Sequence, residues 1–112
     1  MRIAIPLVQG QLSLHFGHCD AFAIVDVNSE EQRISGIHAM APPSHAPGAL
    51  PQWLRQQNVN VVIASGMGSR AQMLFAQNEI DVVIGASAGG PEAIATAYLN
   101  GSLQTGSNIC DH

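Results

Sequence analysis

The run Val59-Asn60-Val61-Val62-Ile63-Ala64-Ser65-Gly66-Met67-Gly68-Ser69-Arg70-Ala71 decides how this chain is built. Val59 to Ala64 is a largely apolar, β-branched segment of strand length, and the glycines that follow end it. Ser69 to Asn78 then repeats apolar residues at helical spacing, with Ala71, Leu74 and Phe75 on one stripe and Ser69 as the N-cap. Beyond it, Val82-Val83-Ile84, entered through Asp81, is a second apolar strand core. Two apolar strands separated by a helix make a βαβ unit, and its crossover imposes a parallel pair covered on both faces.

Working outward, Leu50 to Gln57 is a short helix with Pro51 in its first turn and Leu50, Trp53 and Leu54 on one face. Pro91 to Asn100 is a third helix, opened by Pro91 and stopped by Asn100-Gly101. Toward the N-terminus, Arg2 to Val8 has strand composition and Gly10 breaks it. Ala21 to Val27 is a strand apolar on most of both faces, and Arg33 to Met40 returns beside it after the turn residues Asn28 to Glu31, so the first third forms an antiparallel meander. Pro6 removes a ladder donor, which on local rules places the first strand at an edge or a bulge. Ala41 to Gly48, with three prolines, is an irregular loop carrying His45. The expected fold is α/β, a mixed five-stranded sheet with helices on both faces in the order β-β-β-α-β-α-β-α, as one domain over residues 1–112.

Composition excludes several function classes. The chain has four arginines, no lysine and a formal net charge of -4, whereas a phosphate backbone requires clustered cations, so nucleic acid is not expected as a partner. No apolar run approaches the roughly 20 residues of a membrane helix, and no signal-peptide pattern follows Arg2, so the expectation is a cytoplasmic protein with no membrane partner. Cys19 and Cys110 are then expected as free thiols. No convergent carboxylates and no nucleophile elbow around Ser65 or Ser87 are present, so the chain does not read as an enzyme.

The ligand-type residues cluster instead. His15-Phe16-Gly17-His18-Cys19 sets two imidazoles and a thiol on one loop, His45 lies on another, and Cys110 and His112 close the sequence. Thiolates suit copper, zinc and iron-sulfur units, and imidazole suits most late metals. The plain alternative is surface histidines, as His38 is read, with two buried, inert cysteines. Gly66-Met67-Gly68-Ser69-Arg70-Ala71 has the G-x-G-x-x-A form of a dinucleotide loop, but the next strand runs into Gly85-Ala86 and lacks the acidic residue that holds a ribose, so a tight turn is the simpler account. Ser87, Gly89 and Gly90 lie in a second small-residue loop at the same end of the next strand, and the two loops are expected to wall one crevice.

With these motifs assembled, the sequence resembles the dinitrogenase iron-molybdenum cofactor biosynthesis family, which includes NifX, NafY and the C-terminal part of NifB. The resemblance rests on Ile3-Ala4-Ile5-Pro6, on His15-Phe16-Gly17-His18-Cys19, on Val61-Val62-Ile63-Ala64 running into Gly66-Met67-Gly68-Ser69-Arg70-Ala71, and on Asn108-Ile109-Cys110-Asp111-His112. It implies a ribonuclease H-like fold without nuclease residues, with the first strand in the sheet centre, against the edge position read from Pro6. It also implies a carrier of a metal-sulfur cofactor, with the histidine matching His15 associated with binding and a cysteine matching Cys19. Small size and absence of lysine look most like the orange-protein branch, which holds a molybdenum-copper sulfide cluster. Many stand-alone members carry a His/Cys/Gly-rich insertion before the first helix, where this chain keeps only His45 among prolines.

The reading is therefore a non-enzymatic carrier of a metal-sulfur cluster containing molybdenum, of Mo-Cu sulfide or Fe-Mo type, with cofactor-accepting or assembly proteins as partners. His15, His18, Cys19, His45, Cys110 and His112 are the candidate metal ligands. Gly66, Met67, Gly68, Ser69, Arg70, Ser87, Gly89 and Gly90 are the candidate cofactor contacts, because an anionic cluster in a net acidic protein requires local positive potential. Two alternatives stand beside it: a simple zinc or copper ion site, and a nucleotide-binding regulator acting through Gly66 and Gly68.

Overall fold

The structure is a computed structural model that describes residues 1–14, 16, 19–42, 49–87 and 89–106. Its elements are β1 (Arg2–Val8), β2 (Gln11–Leu12), β3 (Ala21–Asn28), β4 (Arg33–Met40), α1 (Ala49–Gln56), β5 (Val61–Ile63), α2 (Ser69–Gln77), β6 (Asp81–Val83) and α3 (Pro91–Asn100). The sheet order is β4-β3-β1-β5-β6, with β2 paired to β1 beside that path. β1, β5 and β6 are parallel, as the βαβ reading requires, and β3 and β4 continue the sheet antiparallel.

The sheet has six strands, one more than the sequence suggested. The additional strand, β2, forms because Gln9 and Gly10 both take positive φ, 53° and 81°, and join Val8 to Gln11 in a two-residue hairpin. Positive φ at both central residues is the type I′ geometry whose twist suits paired strands. Gly10, read as a strand breaker, is thus a hairpin residue.

The edge position that Pro6 alone suggests is not adopted: β1 lies between β3 and β5, in the central place the resemblance implies. At the start of the strand, the Arg2 N–H donates to Asn60 Oδ1 on the β5 side, while the Met1 carbonyl accepts from Val27 N–H on the β3 side. Residues of even number therefore face β5, and Pro6 is one of them. The β1–β5 register runs only through Ile3↔Val61 and Ala4↔Val62, so the missing donor falls where that ladder has ended. The Pro6 carbonyl still accepts from Ser13 N–H at 2.9 Å.

Alternation along the strands divides the core in two. Ile3, Ile5, Leu7, Val25 and Ile63 pack with Ile94 and Ala95 of α3 on one face. Ala4, Phe22, Ile24 and Val62 pack with Leu54 of α1 and Phe75 of α2 on the other. Each fully buried Ile, Leu, Val or Phe contributes about 1.5–3 kcal/mol, so both faces are held largely by burial. At the opposite end from the loops described below, Arg2 Nε pairs with Asp26 Oδ1 at 2.7 Å and its Nη1 donates to the Gln57 carbonyl.

The helix boundaries follow the sequence closely, with one correction. Gly68, not Ser69, is the N-cap of α2, in extended conformation and with no side chain closing the helix end. α3 starts as expected with Pro91 in its first turn, and Gly101 caps its end in the left-handed region at φ 78°.

Candidate functional site

Parallel strands present their C-terminal ends together, so the segments after β1, β5 and β6 collect at one end of the sheet. Backbone hydrogen bonds join them. The Phe16 N–H donates to the Gly66 carbonyl at 3.0 Å and the Leu12 N–H to the Gly89 carbonyl at 2.9 Å. The segment after β1 therefore touches both glycine loops. Those loops are joined to each other by Gly85 N–H to Ser65 O, 2.9 Å, and Ala86 N–H to Ala64 O, 3.1 Å. The two loops are thus neighbours, linked through their backbones.

Phe16 pins this arrangement. It is buried, its ring meets Phe75 of α2 edge-on at 5.4 Å and 85°, and it lies 5.7 Å from Phe22 of β3. Phe22 in turn meets Trp53 of α1 at 5.8 Å. An aromatic side chain in the middle of a polar loop is thereby drawn into the core.

Of the candidate ligands, His15, His18, His45, Cys110 and His112 lie outside the described residues. Cys19 is described, and it is 7% exposed in the same apolar cluster as Phe16, Phe22 and Met67. Burial pushes its thiol up to about 11, Asp20 adding to the effect and a backbone hydrogen bond opposing it. Such a thiol is neutral at pH 7 and is not a ligand until it loses its proton. Among the described residues, no group of three or more His, Cys, Asp or Glu is arranged to hold a metal ion.

The candidate cofactor contacts divide by depth. Gly66 is buried, and the Met67 side chain is fully buried in the core, beneath the loop and not on its surface. Gly68, Gly89 and Gly90 are half-buried, while Ser69, Arg70 and Ser87 are exposed. A Cβ on Gly89 or Gly90 would meet nothing closer than 3.9 Å. Gly85, which was not among the site residues picked from sequence, leaves no room for a side chain: its φ is +84° and an added Cβ would lie 2.1 Å from the Gly106 carbonyl oxygen.

Charge separates the two helix starts at this end. α3 carries Glu92 in its first turn, which complements the positive end of its dipole. α2 has no acidic residue in its first turn and carries Arg70 there instead. Arg2, Arg33 and Arg55 each pair with a carboxylate, whereas Arg70 pairs with none among the described residues. A cation at the positive end of a helix is unfavourable by itself and favourable once an anion arrives. A groove of about 960 Å³ along α3 and Ile37 of β4 is lined by Glu92 and by no cation. It does not suit an anionic ligand.

The sequence matches the family described as Dinitrogenase iron-molybdenum cofactor over residues 1–101. An uncharacterised protein of Methanocaldococcus jannaschii, MJ0580, is 28% identical over 113 residues, covering 93% of this chain and 90% of that protein. The crystal structure of PH0822 superposes with a TM-score of 0.84 at 29% identity, covering 95% of this chain and 96% of the other. The apo form of the orange protein from Desulfovibrio gigas superposes at 0.72 with 18% identity, covering 96% and 93%, which is a likeness of fold.

Proposed function

The chain belongs to the dinitrogenase iron-molybdenum cofactor family, and from that premise we propose that it is a carrier, not an enzyme, for an anionic metal-sulfur cluster. In this reading a ribonuclease H-like sheet serves as scaffold, and the cargo contains molybdenum, as a Mo-Cu sulfide or an Fe-Mo-S unit. The observation that carries the proposal is Arg70: it is the one arginine without a carboxylate partner among the described residues, and it stands at the uncompensated start of α2. Phe16, which lies between His15 and His18 in sequence, donates its N–H to the Gly66 carbonyl of the same glycine turn.

Capture divides into two tasks. Guanidinium and helix-end N–H groups of α2 attract and orient the sulfide face of the cluster, since fixed donors at a helix start bind anions without reorganising. Imidazoles of His15 and His18 supply neutral nitrogen donors suited to a late metal such as copper. Cys19 is packed in the same apolar cluster as Phe16. Cofactor-accepting or assembly proteins would receive the cargo at this exposed end.

The test is anaerobic loading with tetrathiomolybdate and a copper(I) salt, followed by desalting and quantification of molybdenum, copper and acid-labile sulfide. Molybdenum and sulfide retained together, with a visible charge-transfer band, are expected. Copper bound without sulfide would replace the carrier reading by an ion site, and saturable ATP binding in a parallel titration, with no molybdenum uptake, would replace it by a nucleotide-binding regulator.

A further inference from the structure

α3 leaves the loop end at Gly90 and runs ten residues away from it, a distance of about 15 Å at 1.5 Å per residue. Within five residues of Gly101 the chain is back. Gly106 N–H donates to the Gly85 carbonyl at 2.6 Å, and Thr105 bridges Ala86 antiparallel. Five extended residues span about 17 Å, so the chain is long enough to make this return. It is also fastened on the way, with Ser102 and Leu103 N–H both donating to the Ala97 carbonyl and Leu103 packed against the core.

The contact is made possible by Gly85 alone. Its φ of +84° lies in the region that disfavours side chains, and a Cβ there would overlap the Gly106 carbonyl oxygen at 2.1 Å. At Gly106 itself the demand is absent, because an added Cβ would meet only the Gly85 oxygen at 3.9 Å. Gly85 is also bonded through its N–H to Ser65, which directly precedes the Gly66 that holds Phe16. The clasp, the two glycine loops and the pinned loop thus form one backbone-linked wall.

We propose that the Gly85–Gly106 clasp is a positioning device for the cluster site: it returns the C-terminal strap to the loop end and retards release of the bound cargo. Gly85 acts through Ser65 and Gly106, not by touching the ligand. The inference rests on the carrier reading above and specifies how that same site holds what it has captured.

Protein loaded with tetrathiomolybdate and copper(I) is freed of excess reagent, and the molybdenum remaining bound is followed with time for the wild type, Gly85→Ala, Gly106→Pro and Gly106→Ala. Gly85→Ala blocks the clasp by overlap, Gly106→Pro removes the donor, and Gly106→Ala keeps both the N–H and the space. Loss of one such hydrogen bond corresponds to about a five- to tenfold change, so release about five- to tenfold faster is expected in the first two variants, with Gly106→Ala matching the wild type. Equal release in Gly106→Pro and wild type, with Gly106→Pro folded by circular dichroism, overturns the clasp alone, even if Gly85→Ala fails to fold. Faster release in Gly106→Ala equal to that of Gly106→Pro also overturns it, since the donor would then be irrelevant. A wild type that retains no molybdenum with sulfide overturns the carrier reading and the clasp with it.

Discussion

Replacing Phe16 by alanine tests whether the loop proposed to carry the ligands is held by the core or merely lies on it. The ring is buried at 6% exposure and contacts two other rings, Phe75 at 5.4 Å and Phe22 at 5.7 Å. Removing a buried phenylalanine costs about 3–5 kcal/mol, of which about 0.5–1.5 kcal/mol per ring pair is specific to the aromatic geometry. A phenylalanine on a mobile surface loop would instead cost less than about 0.5 kcal/mol. Domains of this size have about 5–15 kcal/mol in total, so Phe16→Ala is expected to fold but with a strongly lowered urea midpoint at unchanged m. Phe16→Leu keeps most of the apolar volume and loses the edge-on contact with Phe75, so about 1–2 kcal/mol is expected. Tetrathiomolybdate-copper loading of Phe16→Leu, still folded, then reads the loop: weaker retention is expected, because the Phe16 N–H loses the ring that holds it against Gly66. A cost below about 1 kcal/mol for the alanine variant would refute the pin and detach the loop from the argument.

Arg70→Glu is expected to abolish cluster retention while raising apo-protein stability by about 0.3–1 kcal/mol, since an acid replaces a cation at the start of α2; thermal unfolding and molybdenum uptake read the two effects, and reduced stability would contradict the dipole argument. Added salt should weaken wild-type uptake more than that of Arg70→Gln. The Cys19 thiol predicts an alkaline limb: with the folded value raised from 9.0 to about 11, the unfolded chain ionises first, so stability is full below pH 9 and falls as pH rises toward 11. The two-unit difference amounts to about 2–3 kcal/mol, and urea midpoints at pH 8 and pH 11 should show a fall that Cys19→Ala lacks; the absence of lysine keeps this range otherwise sparse in titrating groups. Gln9→Asn should stabilise the β1–β2 hairpin by a few tenths of a kcal/mol, about the preference of asparagine for left-handed φ, and a destabilised variant would argue against the type I′ turn.

What was legible in the sequence is what local chemistry determines. The run from Val59 to Ala71 carried the parallel pair because β-branched residues, glycines and a helical stripe follow one another within a few residues, and Pro91 and Gly101 marked α3 for the same reason. The first strand was harder, because Pro6 argues for an edge until the short reach of β5 along β1 is known. β2 escaped because Gln9-Gly10 is a weaker turn signal than Asn-Gly, although it adopts the same geometry.

The site shows the same division more sharply. His15, His18 and Cys19 announce themselves by residue type, yet the burial of Cys19 depends on Phe22 and Phe75, which arrive from elsewhere in the chain. Arg70 looks ordinary in sequence; it becomes distinctive once Arg2, Arg33 and Arg55 are each assigned to Asp26, Glu31 and Glu79. Gly85 is one glycine among 11 until Gly106 is found against it. Ligand-type residues can be recognised singly, whereas the groups that position them are defined by long-range contacts. If the carrier proposal holds, a search for relatives with the same role should weigh an arginine with no carboxylate partner among the described residues at the start of α2, together with a glycine that cannot accept a side chain after β6, and not the histidines and cysteines alone.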